Sequence, residues 1–114
     1  MRRTHPGSMS DELVVWRERR FALHLPNEHG VLELWQGAFD RVVLVKRGGQ
    51  AVRADLIDWK SDHVAANAVA ARVATYRPQI EAYRRVLARI TGLDEGAITT
   101  RIAFLHAGSV VDLG

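Results

Sequence analysis

Two apolar, β-branched runs joined by a pair of glycines occupy the middle of the chain: Gly37 to Val45, then Lys46-Arg47-Gly48-Gly49-Gln50, then Ala51 to Lys60. Runs of this kind predict two antiparallel strands of one hairpin. Side chains two apart on a strand share a face, so Asp58 and Lys60 point the same way. Whether Asp40 on the first strand joins them depends on the turn. A two-residue Gly48-Gly49 turn pairs Arg47 with Gln50, which sets Asp40 opposite Ile57 and leaves Asp58 facing away. A three-residue loop over 48–50 pairs Arg47 with Ala51 and sets Asp40 opposite Asp58, and a bulge restores the same parity. Opposed residues have Cβ atoms roughly 4.5–5.5 Å apart, which lets the two carboxylates approach within ~4 Å. Like charges at that distance cost on the order of 4 kcal/mol at an effective dielectric near 20, about three pKa units. One acid is then protonated, or a cation lies between them.

A divalent, oxygen-preferring cation suits this pair, because the neighbouring ligands are hard carboxylates and the chain has no cysteine. Lys60 has two candidate roles beside it: orienting or deprotonating a water, and steadying charge that develops on a phosphate oxygen. Mg²⁺ polarises a phosphate and helps activate water. The residues read as a phosphodiester hydrolase site.

Three motifs, Gly37-Ala38-Phe39-Asp40-Arg41, Ile57-Asp58-Trp59-Lys60-Ser61 and Gln79-Ile80-Glu81-Ala82-Tyr83, follow one another in the chain. They resemble the G-x-I-D-R, I-D-Y-K-T and Q-x-x-x-Y motifs of the nuclease domain in RecB- and AddA-type helicase-nucleases, a branch of the PD-(D/E)XK nuclease superfamily. The resemblance runs from about Val14 to Leu113. It implies an α/β, restriction-endonuclease-like core, an antiparallel β-meander followed by a helix and a final strand pair. It also implies a Mg²⁺-dependent deoxyribonuclease, with Mn²⁺ as a substitute, exonuclease-like and linked to recombination or repair. By the same resemblance Asp40 and Asp58 ligate the metal, the main-chain carbonyl of Trp59 completes the shell, and Lys60 positions the attacking water. Gln79 and Tyr83 support the site and contact substrate. Glu18, in Trp16-Arg17-Glu18-Arg19-Arg20-Phe21, resembles the family's E-x-x-F strand near the metal; the competing reading is an exposed strand residue paired with a neighbouring arginine.

The chain departs from the family where a helix carrying a further His or Glu ligand normally precedes the first strand. Completion by Glu18 or by another chain is one expectation, and an incomplete site is another. No Walker motif is present, and the alternatives are a free-standing nuclease, a fragment of a longer protein and a subunit recruited by a separate helicase motor. A catalytically silent nuclease fold that only holds DNA or protein is the alternative function. A dimeric, structure-specific nuclease is a third.

With 114 residues the chain makes one domain, able to bury roughly 60–70% of its unfolded surface. The net charge of +3 suits a polyanionic partner without demanding one. The lack of cysteine excludes disulfides, thiolate zinc sites and the iron–sulfur cluster that some relatives carry. No apolar run approaches the ~18 residues of a membrane span, and a cytoplasmic location is the default expectation. Residues 1–10 read as a flexible tail and 11–114 as the domain. Leu13 to Leu25 reads as the first strand, Val31 to Val45 as the second and Ala51 to Trp59 as the third. Pro26 to Gly30 is turn chemistry, so His24, Glu28 and His29 read as turn polarity rather than a metal cluster. His63 and His106 read as surface residues. Asp62 to Ala74 reads as a short helix or a connector, and Pro78 as the first position of a helix whose buried stripe is Ile80, Tyr83, Leu87 and Ile90, ended by Gly92. Arg72, Arg77, Arg84, Arg85 and Arg89 give it a basic side, with Glu81 and Arg85 as an i,i+4 pair. DNA contact through them would be independent of base sequence. Two last strands, Thr99 to His106 and Val110 to Leu113, flank Ala107-Gly108-Ser109.

Overall fold

The computed structural model describes residues 11–114. Within it run β1 (Asp11–Pro26), β2 (Leu32–Arg47), β3 (Gln50–Lys60), α1 (Val69–Thr91), β4 (Ile98–Phe104) and β5 (Ser109–Asp112). The strands form a five-stranded sheet in the order β1-β2-β3-β4-β5. Neighbours are antiparallel except β3 and β4, which are parallel. A parallel pair needs a long crossover, and α1 supplies it. The fold is therefore α/β: a mostly antiparallel sheet with one helix, the expected meander, helix and strand pair in that order. The tail expected over 1–10 lies outside the described residues.

The β2–β3 hairpin resolves the question of parity. Gly48 and Gly49 both have positive φ, 61° and 82°, the backbone that a two-residue hairpin turn requires. Arg47 pairs with Gln50 and Lys46 with Ala51, but Val45 pairs with Arg53, so Val52 is an unmatched bulge residue. From there Arg41 lies opposite Ile57, which brings Asp40 abreast of Asp58. The tight turn and the acidic pair coexist because one extra residue is inserted between them.

A second irregularity sits in the β1–β2 ribbon. Trp16 pairs with Val42 and Val14 with Leu44, and these even-numbered positions pack into the core. Past Glu18 the inward positions become odd: Phe21, Leu23 and Leu25 on β1, Trp35 and Phe39 on β2. Glu18 has φ 48°, the left-handed conformation that a side chain with a Cβ rarely adopts. Its twist changes which side of the ribbon meets the helix. Strain there is relieved by glycine, so Glu18→Gly is expected to raise the urea midpoint by about 0.5–1 kcal/mol of stability, and Glu18→Val to lower it.

One face of the sheet is covered by α1. Val86 and Leu87 pack with Phe39, Val42, Leu44, Ala54, Leu56 and Ile98, while Val73 and Ile80 pack with Val64, Ile102 and Phe104. The helix begins well before Pro78, contrary to the expectation of a helix start there. A proline inside a helix costs about 3 kcal/mol. Val73 and Ile80, on either side of it, are both buried in the same cluster, and that burial holds the two halves in one helix. Of the segment expected as a short helix or a connector, residues 69–74 are the helix's first turns, preceded by a 3₁₀ turn, Ala66–Ala68. Ile90 is 45% exposed, and Val86 takes the buried place assigned to it. Gly92, φ 77°, ends the helix as expected, its N–H donating to the Ala88 carbonyl. Among the described residues no helix is long and apolar enough to cross a membrane.

Candidate active site

β3 alternates cleanly, with Ala54, Leu56 and Asp58 buried on the face beneath the helix. Asp58 therefore occupies a core position at the end of an apolar series and is 6% exposed. A carboxylate in that place loses hydration that a hydrocarbon would not miss. Burial accordingly pushes the Asp58 carboxyl above its ordinary value, the nearby Asp40 adds to the rise, and the Lys60 ammonium opposes it. Lys60 Nζ lies 2.9 Å from Asp58 Oδ2. The direction is poor for a hydrogen bond, so Oδ2 stays buried with no hydrogen-bond donor among the described residues. The contact is an ion pair by distance.

Asp40 is half-buried, and its Oδ2 accepts a 2.8 Å hydrogen bond from the Trp59 backbone N–H. This ties the middle of β2 to the end of β3 just past their last regular pair and orients the Asp40 carboxylate. The sequence-derived trio of Asp40, Asp58 and Lys60 is thus brought together. Gln79 joins it, its Oε1 accepting from Lys60 Nζ at 3.1 Å. Glu18 lies abreast of Asp40, because Arg17 pairs with Arg41 and Arg19 with Phe39, yet its side chain is exposed. Among the described residues no third acid or imidazole gathers with Asp40 and Asp58.

Tyr83 stands edge-on to Phe21 and Phe39, with ring centroids 5.4 and 5.8 Å away. Burial raises its hydroxyl's pKa, and the negative charge of Asp58 adds to this. The same hydroxyl explains the glycine of the first motif. A Cβ on Gly37 would sit 3.0 Å from the Phe21 ring and 3.0 Å from the Tyr83 hydroxyl. Gly37→Ala is expected to cost about 1–3 kcal/mol through overpacking against this aromatic group, read as a lower denaturant midpoint.

Tyr76 has a role that the motifs did not suggest. Lys60 Nζ lies 4.1 Å from the centroid of its ring. The Tyr76 hydroxyl donates to Asp62, and Arg72 Nη1 approaches the same carboxylate oxygen at 2.7 Å. The Tyr76 bond, then the Arg72 guanidinium, hold the Asp62 carboxyl below its usual range. Ring, carboxylate and guanidinium together fix the wall against which Lys60 rests. The signal was available in helical spacing: Tyr76, Gln79 and Tyr83 are one turn apart on one face.

The basic side of α1 is thinner than its sequence suggests. Arg72 is held by Asp62, and Arg84 by Thr100 at 3.0 Å and by Glu81 at 3.4 Å. The expected partner of Glu81 was Arg85; the i,i+3 residue takes it instead, because Arg84 is drawn inward by the buried Thr100. Arg77, Arg85 and Arg89 remain exposed. His63 and His106 are exposed, as expected, and their rings stack with centroids 3.8 Å apart. A concavity of about 520 Å³ lined by Trp16, Lys46, Gly92 and neighbours lies at the turn end of the β2–β3 hairpin, far from Asp58, and no carboxylate lines it.

No protein-family model matches this chain, and no curated protein matches it. Two carboxylates at one sheet end, one with a buried oxygen lacking a hydrogen bond, form a donor set that suits a hard divalent ion. Mg²⁺ characteristically takes one or two protein carboxylates and keeps several waters.

Proposed function

We propose that this chain is a metal-dependent nuclease that hydrolyses phosphodiester bonds in DNA, with a restriction-endonuclease-like core of the PD-(D/E)XK kind. The observation that carries the reading is Asp58: a carboxylate in a core position, abreast of a second carboxylate and paired with an amine. As a purely structural residue it is unfavourable, and perturbed acids of this sort cluster at functional sites. Asp40 and Asp58 would hold Mg²⁺ or Mn²⁺, with the Trp59 main-chain carbonyl added by family resemblance. The ion would supply Lewis-acid polarisation of the scissile phosphate and acidify a bound water. Asp40 is oriented for this by the Trp59 N–H. Lys60, steadied by Gln79 and the Tyr76 ring, would direct a water or meet charge that develops on the phosphate. The exposed arginines of α1 would meet the DNA backbone without reading bases. Exonuclease-like action in recombination or repair, beside a helicase, follows from the resemblance.

The experiment is cleavage of linear single- and double-stranded DNA with Mg²⁺ or Mn²⁺, comparing wild type with Asp58→Ala and Lys60→Ala. Cleavage by wild type that is lost in both variants supports the reading.

A second reading, a nuclease fold that binds without cutting, is favoured by one observation. Lys60 already stands 2.9 Å from Asp58 as its counter-charge. Binding without cleavage, unaltered by either substitution, would select it.

A further inference from the structure

The face of the sheet turned away from α1 carries a row of arginines. Arg17 pairs with Arg41, Arg41 with Ile57, and Ile57 with Arg101, so three guanidinium groups line up across four strands. The row spans about 14 Å, three inter-strand steps. Trp59 lies two residues along β3 from Ile57 on this same face, diagonal to Arg41 and Arg101, and is 41% exposed. Arginines directly opposed across strands repel one another, and a chain gains nothing by such a pair without an anion.

Asp112 on β5 lies opposite Arg101 and closes the row at that end, and the acids of this face have other partners. Asp11 is bound by Arg47 at 2.9 Å, Asp55 accepts from the Thr99 hydroxyl, and Asp112 accepts from the Gly114 N–H at 2.8 Å. Among the described residues none of Arg17, Arg41 and Arg101 forms an ion pair with a carboxylate. Arg41 Nε is moreover buried without a hydrogen-bond partner there.

We propose that this open face binds single-stranded nucleic acid, Trp59 stacking on a base while Arg17, Arg41 and Arg101 meet the phosphates. Charge complementarity selects a polyanion: a second copy of this chain would bring a net charge of +3 and another arginine row against the first. The indole selects a single strand, because a base offers its flat face to a side chain only when it is unstacked. The surface lies on the opposite side of the sheet from the carboxylates, and it stands whether or not the site beneath α1 cleaves.

The test is titration of fluorescently labelled oligodeoxythymidine, a duplex of equal length, and polyglutamate, all in EDTA so that cleavage plays no part. The proteins are wild type, Trp59→Ala, Trp59→Phe and the double variant Arg41→Gln/Arg101→Gln. Wild type is expected to prefer the single strand. Trp59→Ala should weaken it about tenfold and Trp59→Phe should restore most of the loss. The double variant should bind at least tenfold more weakly and reduce the logarithmic salt slope by about 1.4, two phosphate contacts. Equal binding of duplex or polyglutamate, or indifference to both Trp59 substitutions, would overturn the proposal. So would sedimentation showing a wild-type dimer that the double variant turns into monomers.

Discussion

Asp58→Asn is expected to lower DNA cleavage by about a hundredfold to a thousandfold while leaving the protein at least as stable as wild type. The first half follows from the proposed role, since removing one group that stabilises transition-state charge typically costs two to three orders of magnitude. The second half follows from burial. The Asp58 carboxyl titrates above the value of about 3.8 that it has in the unfolded chain, chiefly because it is desolvated. Between these two pKa values the native state holds more protons than the unfolded state, so stability falls as pH rises through that window. Above it the penalty is constant. An amide carries no such penalty, and Lys60, which loses its carboxylate, keeps the Gln79 side-chain oxygen and the Tyr76 ring as partners. The difference in unfolding free energy between Asp58→Asn and wild type should therefore grow from about pH 4 upward and then level off, with the variant's Tm above that of wild type at neutral pH. Lys60→Met should behave in the opposite sense. It loses cleavage too, but leaves Asp58 buried without its counter-charge, a change that costs several kcal/mol at neutral pH and less as acid protonates the carboxyl. An Asp58→Asn protein with full cleavage, or one that unfolds more readily than wild type at every pH, would refute the assignment of Asp58 as an acid kept for chemistry.

Phe39→Ala is expected to cost about 3–5 kcal/mol, out of the 5–15 kcal/mol typical of a folded domain. Phe39 is fully buried, with its ring centroid 4.7 Å from that of Phe21 and 5.8 Å from that of Tyr83. Removing the ring leaves a void beside both of those neighbours. The residue also sits where β2 changes its inward face, immediately before Asp40, so loss of the ring releases the strand that carries one of the acids. Urea unfolding gives the stability directly. A loss below about 1 kcal/mol would mean that the ring is not a core element and that the change of face at Glu18 is wrongly placed. Phe39→Leu, which keeps part of the volume, should fall between Phe39→Ala and wild type.

How much of this was legible beforehand differs from residue to residue. The pairing of Asp40 with Asp58 was one of two outcomes, and what chose between them is the placing of one extra residue, Val52, which no pattern of hydrophobicity marks. The left-handed Glu18 was hidden for a related reason: a glutamate gives no sign that its backbone leaves the extended region, and the twist is imposed by the need to turn Phe21 and Phe39 inward. Helical spacing unites Gln79 and Tyr83, but local propensity makes Pro78 a boundary, and burial of Val73 and Ile80 overrides it. Arg84 was counted with the surface because nothing local reveals that Thr100, on another element, draws it in. The pair of last strands was visible, but the parallel partnership of β3 with β4 follows only once the helix is seen to run the length of a crossover.

The bulge at Val52 makes the hairpin behave like a reading frame. Six residues, about 20 Å of strand, separate it from Asp58. Each one-residue change in length around Gly48-Gly49 is transmitted along that distance as a swap between Asp58 and Trp59, the acid turning outward and the indole inward. Only a compensating change nearby restores the phase. Length in this loop is thus counted in parity, and a remote turn with no chemistry of its own decides whether the two acids face each other.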